Sequence, residues 1–253
     1  PKGDSLLLYN FMESVLLFSG GFDSMLLEWR VNPDKLLYVN MGTVYAQREI
    51  ESLQKLPERY KSKLIIKDLP LTEFEHEDSC IPYRNLLLIT IALQYAPKVY
   101  MGLTGQDVYA DCSDTFLNKA RSLFRYLNTD VEHTPFGDSK FRIEVPFKGR
   151  TKTMMVEECL KKGMPKELIQ NIRTCYSGHS HKGCGTCLPC WNKAVALLNN
   201  DIYDDALFDQ PISEQMFEDS LAYYEEKWGK RKVEYLHYQD VCNAYKKLQS
   251  LRK

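Results

Sequence analysis

Five short apolar runs punctuate the chain, at residues 14–19, 36–41, 64–69, 99–103 and 141–145, and the stretches between them suit helices, most clearly 23–30 and 85–95. Short apolar runs bounded by turn residues predict strands. Their alternation with helix-length segments predicts an α/β fold, a parallel sheet covered by helices on both faces, because parallel neighbours need a long crossover. Such sheets bind ligands beyond the carboxyl ends of their strands, where the strand order reverses. The segments 19–24, 43–48 and 104–112 follow strands and are therefore the first places to look for chemistry. From about residue 174 to 190 the composition turns to glycine and cysteine, and after Asn199 an acidic segment gives way to a basic, aromatic-rich stretch at 227–253. The expected organisation is a catalytic domain at 10–170, a cysteine-rich segment at 171–199 and a helical extension at 200–253. In the extension Phe217, Tyr223, Tyr224, Trp228, Tyr235, Tyr238 and Tyr245 are spaced to pack helices onto the domain or onto a second subunit.

Composition narrows the function. A chain of 253 residues can bury a full core, and its formal net charge of −1 has both signs interspersed, so nothing calls for direct contact with nucleic acid or an anionic membrane surface. Small-molecule chemistry fits that balance. No apolar run approaches the roughly 20 residues of a membrane span, and Pro1-Lys2-Gly3-Asp4 does not begin a signal peptide, which gives the expectation of a cytoplasmic protein. Of eight cysteines, four crowd between Cys175 and Cys190 while Cys80, Cys112, Cys159 and Cys242 are scattered. That distribution suits metal binding in a reducing compartment better than a disulfide framework.

Ser19-Gly20-Gly21-Phe22-Asp23-Ser24 places two glycines where a strand turns into a helix. Glycine lets backbone N–H groups converge on an anion, and the positive helix end adds to the attraction. Ser19 and Ser24 can donate to phosphate oxygens, and Asp23 suits a role in holding Mg²⁺ or anchoring the loop. Phe18 and Met25 flank the loop and complete the candidate nucleotide-binding stretch. The Gly-Lys-Ser/Thr of a Walker A loop is absent. The plainer alternative is a glycine turn with a capping aspartate.

Cys175-x₈-Cys184-x₂-Cys187-x₂-Cys190 supplies four thiolates, with Gly183 and Gly185 letting the chain wrap one ion. Four cysteines suit tetrahedral Zn²⁺, and a full set of protein ligands leaves no open position, so the site is expected to be structural. His179 and His181 leave a Cys₃His set open, and an iron–sulfur cluster is the competing occupant, although the Cys-Pro ending of a ferredoxin run is missing.

The loop resembles the pyrophosphate loop of the ATP pyrophosphatase superfamily, and loop and cysteines together resemble the QueC family of 7-cyano-7-deazaguanine synthases, over residues 14–197. Ile81-Pro82-Tyr83-Arg84-Asn85-Leu86 is similar to the family's Pro-x-Arg-Asn segment, and Tyr45-x-Gln47-Arg48 to its aromatic-x-Gln-Arg stretch. Asp107-Val108-Tyr109-Ala110-Asp111-Cys112 is similar to its acidic loop, and Thr174-Cys175-Tyr176 with Cys184-Gly185-Thr186-Cys187 to its zinc region. The acidic loop is shorter and lacks the family's Ser-Gly-Tyr-Pro interior. Glu49 stands where a histidine is usual and Lys193 where an arginine is usual.

The resemblance implies a Rossmann-like fold of the adenine nucleotide alpha hydrolase type. It implies an ATP-dependent C–N ligase that converts 7-carboxy-7-deazaguanine and ammonia to 7-cyano-7-deazaguanine through an adenylated intermediate and an amide, serving queuosine or another deazaguanine modification. ATP, Mg²⁺ and Zn²⁺ are the implied cofactors, and a homodimer the implied assembly. Ser19, Asp23, Ser24, Arg84 and Lys148 are the implied catalytic residues, with Gln47, Arg48, Arg84, Asn85, Asp107 and Asp111 around the substrate. Lys152 is a second basic residue within reach of phosphate. Plainer roles stand beside these: a helix-start ion pair for Arg84 and Asn85, a solvated turn for Asp107 and Asp111, a solvated basic loop for Lys148 and Lys152. Three functional alternatives also stand: a relative that stops at the amide or passes the activated acyl group to another acceptor, such as a protein amine in a phage or defence setting; a silent nucleotide-binding subunit that acts through a protein partner; and a sulfur-inserting transfer RNA enzyme, which needs iron–sulfur or redox-active cysteines.

Overall fold

The computed structural model describes residues 12–77, 80–107, 109–129, 141–175, 182–227 and 232–253. Val108, Tyr176, His179, His181 and Trp228 lie outside the described residues. Five strands, β1 (Ser14–Leu17), β2 (Lys35–Asn40), β3 (Leu64–Asp68), β4 (Lys98–Tyr100) and β5 (Arg142–Glu144), form one sheet in the order β3-β2-β1-β4-β5, every pair parallel. The order reverses between β1 and β4, and their carboxyl ends open the crevice where such sheets take ligands.

Successive side chains of a strand point to opposite faces, and the cores divide accordingly. Leu16, Leu36, Tyr38 and Tyr100 join the core under α1 (Phe22–Val31), α6 (Lys152–Lys161) and α7 (Lys166–Asn171). Val15, Leu37, Val39 and Val99 join the core under α4 (Arg84–Ala92) and α5 (Asp114–Leu127). The two remaining early helices are α2 (Ala46–Gln54) and the single turn α3 (Glu58–Lys61).

Each strand ends before its apolar run does. The ladder stops at Leu17, Asn40, Asp68, Tyr100 and Glu144, so residues 18–19, 41, 69, 101–103 and 145 leave the sheet to build the loops above it. Hydrophobic periodicity reports burial, and these residues are buried or half-buried without being strand. Helix α4 likewise stops at Ala92 rather than residue 95, its last carbonyls closed by turns from Leu93, Gln94 and Tyr95.

A third core joins the cysteine region to the extension. Trp191, Ala194, Val195 and Leu198 of α8 (Leu188–Asn199) pack on Phe217 of α9 (Glu214–Lys227) and on Val241, Ala244 and Leu248 of α10 (Lys232–Leu251). Phe217 lies edge-on to Trp191 at 5.8 Å and stacks on Tyr245 at 5.4 Å, while Tyr223 and Tyr235 remain exposed. The aromatics of the extension therefore serve packing within the chain at Phe217, Tyr224 and Tyr245. Among the described residues no helix is long and apolar enough to cross a membrane.

Candidate active site

Gly20 adopts φ +71°, and a Cβ there would come within 2.9 Å of Leu53 Cδ2 on α2. A residue other than glycine is thus strained twice, by its backbone and by its neighbour. Ser19 Oγ accepts from Gly21 N at 3.3 Å and lies 3.4 Å from Ser24 Oγ, which donates to Gly21 O at 3.0 Å. Helix α1 follows Gly21 with no side-chain cap, as is also the case at α2, α4, α7 and α8, whereas Ser113 Oγ caps α5 and Thr151 Oγ1 caps α6. The first-turn N–H groups of a helix have no intrahelical acceptor, so α1 presents donors and its positive end to an incoming anion. Phe18, stacked on Tyr60 at 6.4 Å, Phe22 and Met25 are buried and hold the loop to the core.

The loop forms one wall of a cavity of about 420 Å³, a size typical of small-molecule sites, which span roughly 300–1,000 Å³. Asp23 forms an ion pair with Lys152, the first residue of α6, and both line the cavity. Beyond β4, buried Thr104 donates its N–H and hydroxyl to Asp107 Oδ2 at 2.5 and 2.9 Å, a turn that sets Gln106 and Asp107 on the wall. From α2 come Arg48, Glu49 and Ser52, and the lining also includes Arg173, Thr174 and, from α8, Asn192. Glu49 Oε2 accepts from Tyr38 OH at 2.8 Å. Burial raises the Glu49 pKa, countered by the Tyr38 hydrogen bond and by the charges of Arg84 and Arg173. Burial and the Glu49 charge push the Tyr38 hydroxyl upward, so it stays a donor.

Of the residues singled out in the sequence, Ser19, Gly20, Gly21, Phe22, Asp23, Arg48 and Asp107 line the cavity together with Cys175. Others stand apart from that lining. Gln47 donates to Glu51 at 3.1 Å on the exposed side of α2. Arg84 is exposed at the start of α4, within electrostatic reach of Glu49. Asn85 is buried; its N–H donates to Asp111 Oδ2 at 3.3 Å and its amide to Asp111 O at 3.1 Å, so these two residues tie α4 to the turn at Ala110–Cys112. Lys148 donates to Cys112 O, leaving Lys152 as the lysine at the glycine loop, paired with Asp23. The Cys112 thiol is pushed up to about 12 by burial and then by Asp107 and Asp111. Sequence reasoning passed over Gln106, Arg173 and Asn192, and met Glu49 only as a departure from a pattern. Gln106 falls in a flagged segment, whereas Asn192 carries no local signal.

The four cysteines converge. The Sγ atoms of Cys175, Cys184, Cys187 and Cys190 lie within 4.8 Å of one another, with Cys184–Cys190 at 4.0 Å and Cys175–Cys187 at 3.9 Å. Zinc–sulfur bonds of about 2.3 Å in a tetrahedron require sulfurs about 3.8 Å apart, so the set fits Zn²⁺. The Cys184 thiol titrates low, at about 6: burial raises it, but the Thr186 hydroxyl and N–H, at 3.4 Å each, and the neighbouring thiols outweigh burial. Gly185, at φ +81°, has the carbonyl of Gln210 where a Cβ would stand, 1.8 Å away, and Gly183 packs against Phe208. Nearby Lys193, buried, donates to Gln170 O and Ile172 O at 2.5 and 2.7 Å and closes the end of α7; burial lowers its pKa to about 8.

Comparison with known proteins accounts for this arrangement. The family model described as "Queuosine biosynthesis protein QueC" matches residues 60–201. The chain is 25% identical over 227 residues to a 7-cyano-7-deazaguanine synthase of Marinobacter nauticus, covering 78% of this chain and 97% of that one. It is 27% identical over 232 residues to the synthase of Archaeoglobus fulgidus, covering 79% and 91%, and 25% identical over 231 residues to that of Nostoc punctiforme, covering 78% and 100%. With a parallel sheet that opens on a glycine-built loop, a four-cysteine knuckle beside it and a family match over more than half its length, this chain belongs to the QueC family.

Proposed function

We propose that the chain uses ATP to activate a carboxylate of the 7-carboxy-7-deazaguanine class and condenses it with ammonia, giving the amide and then the nitrile. The observation that carries this reading is the glycine loop at the start of α1, whose Ser19, Gly20, Gly21 and Asp23 line one cavity together with Lys152, the partner of Asp23. A carboxylate is a poor electrophile. Attack of its oxygen on the α-phosphorus of ATP releases pyrophosphate and leaves a mixed anhydride; ammonia then displaces AMP to form the amide. Transfer of a second AMP to the amide oxygen makes that oxygen a leaving group, and loss of the amide protons with AMP gives the nitrile. The loop's N–H groups, its hydroxyls and Lys152 serve where pyrophosphate charge develops. Asp23 is the residue that would share Mg²⁺ with the phosphates, exchanging its contact with Lys152. The four cysteines would hold Zn²⁺ as a closed structural site.

A second reading keeps the adenylation and changes the acceptor. Asn85 and Asp111 are committed to each other and stand outside the cavity lining, and Glu49 contributes a carboxylate to the wall. That wall favours a reaction ending at the amide, or on an amine other than ammonia. Incubating the protein with 7-carboxy-7-deazaguanine, ATP, Mg²⁺ and ammonium while following AMP release and product mass decides. A nitrile supports the synthase reading, an amide or a conjugate supports the second, and no AMP release overturns both.

A further inference from the structure

Helix α10 lies beyond the residues matched by the family model, yet two of its side chains reach the reaction cavity's supports. His237 is buried between Trp191 and Tyr224, whose rings stand edge-on at 6.0 and 5.6 Å. Its ring nitrogens lie 2.9 Å (Nε2) and 3.1 Å (Nδ1) from Gln106 Nε2, which also faces Asn192 Oδ1 at 3.3 Å. Gln106 and Asn192 both line the cavity. At these distances from both nitrogens the Gln106 N–H₂ lies over the ring face, a contact that favours the neutral imidazole over the cation. Burial and the nearby charge of Lys152 hold its pKa down to about 4 and keep it neutral.

One turn along, Asp240 O accepts from the Asn199 amide at 2.8 Å, and the same amide donates to Thr153 Oγ1 of α6 at 3.3 Å. The Asp240 carboxyl is buried at Oδ2 with no hydrogen-bond partner among the described residues, and burial raises its pKa while the hydroxyls of Thr151 and Thr153 pull it back. Thr151 and Thr153 bracket Lys152, the partner of Asp23 in the phosphate loop. Residues three apart on a helix share a face. His237 and Asp240 therefore continue the buried stripe of Val241, Ala244 and Leu248 toward the cavity.

We propose that His237 and Asp240 are positioning residues for ATP activation: His237 fixes the Gln106 amide on the cavity wall, and Asp240 fixes the α6 terminus that carries Lys152. The extension is then a working part of the site rather than only a brace for the cysteine knuckle. This rests on the reading of the cavity as an ATP site.

The test uses full-length variants His237→Ala, His237→Asn and Asp240→Asn, with Gln239→Ala on the exposed side of α10 as control. Tm, zinc content, and kcat and KM for ATP in AMP release are measured for each. Misplaced groups can cost up to about 100-fold in rate, and a contact through one intermediary residue about 10-fold is expected here for His237→Ala, with Tm and zinc kept. His237→Asn, which keeps an acceptor, should recover most of that loss, and a double-mutant cycle with Gln106→Ala should be non-additive. Asp240→Asn should lower kcat about 3-fold, a smaller loss because Asp240 acts on Lys152 only through the α6 terminus. Should His237→Ala lose zinc or fold, His237→Asn and Asp240→Asn carry the decision. Unchanged kcat and KM in the folded variants, or losses that only track Tm, overturn the inference while leaving an active wild type and the ATP reading intact. A wild type that neither releases AMP nor gains Tm with ATP overturns both.

Discussion

The glycine loop at residues 19–24 and the cysteine knuckle are both short, glycine-bearing segments at a helix N-terminus, and they are built to opposite ends. At the loop, Gly21 leaves α1 uncapped, so its donors face a cavity. At the knuckle, Cys187 and Cys190 flank the start of α8 while Gly183 and Gly185 are pressed against Phe208 and Gln210. Neither helix has a side-chain cap; the loop's end opens on the cavity, while the knuckle's end is enclosed by four sulfurs and by the extension. Openness is what a reaction site needs, and closure is what a structural ion needs.

Breaking the closed end should have the largest effect. Structural zinc contributes on the order of 10 kcal/mol in small domains, so Cys187→Ser or a strong chelator should release zinc and loosen the α8–α10 core. Metal analysis with thermal melts monitored by circular dichroism checks this, and an unchanged melt in a zinc-free protein would show that the knuckle does not depend on metal. At the open end, Asp23→Ala should leave Tm close to wild type while lowering the rate of AMP release by about 100-fold or more. A variant with normal turnover would remove Asp23 from the chemistry.

The two glycines sharpen the same contrast. Gly185→Ala combines a left-handed backbone with a collision against a main-chain carbonyl that cannot swing aside, and should cost about 3 kcal/mol in urea unfolding. Gly20→Ala meets only the tip of Leu53, so it should cost less in stability and act on ATP affinity, measured by equilibrium binding. The smallest effect concerns Glu49. Its folded pKa lies above the ordinary 4.5, so the native state holds that proton more tightly than the unfolded chain. The associated stability is fully present below about pH 4.5 and is lost as pH rises through the folded value. In Glu49→Gln this loss disappears, and the Tm difference between variant and wild type should grow with pH across that window.

Contiguous motifs carried their geometry with them. Local backbone rules suffice to predict that residues 19–24 turn a strand into a helix and that cysteines at this spacing meet, because both depend on near neighbours in the chain. Lys148 and Lys152 show where such reasoning stops. They are four residues apart in one basic stretch, yet Lys148 donates to Cys112 O and Lys152 pairs with Asp23, a difference decided by where β5 meets α5 and α6 meets α1. Asn85 and Asp111 behave likewise, spending their polar groups on each other across 26 positions of chain.

From the sequence by itself came the parallel α/β sheet, the loop, the cysteine set and the existence of a helical extension, each written in periodicity or in closely spaced residues. Much of the cavity lining was settled only by the tertiary structure, which gathers Glu49, Gln106, Arg173 and Asn192 from four separate segments and seats His237 behind Gln106. Side chains that meet through packing of distant elements leave no periodic trace, because what selects them is the shape of the space between helices rather than the chain on either side.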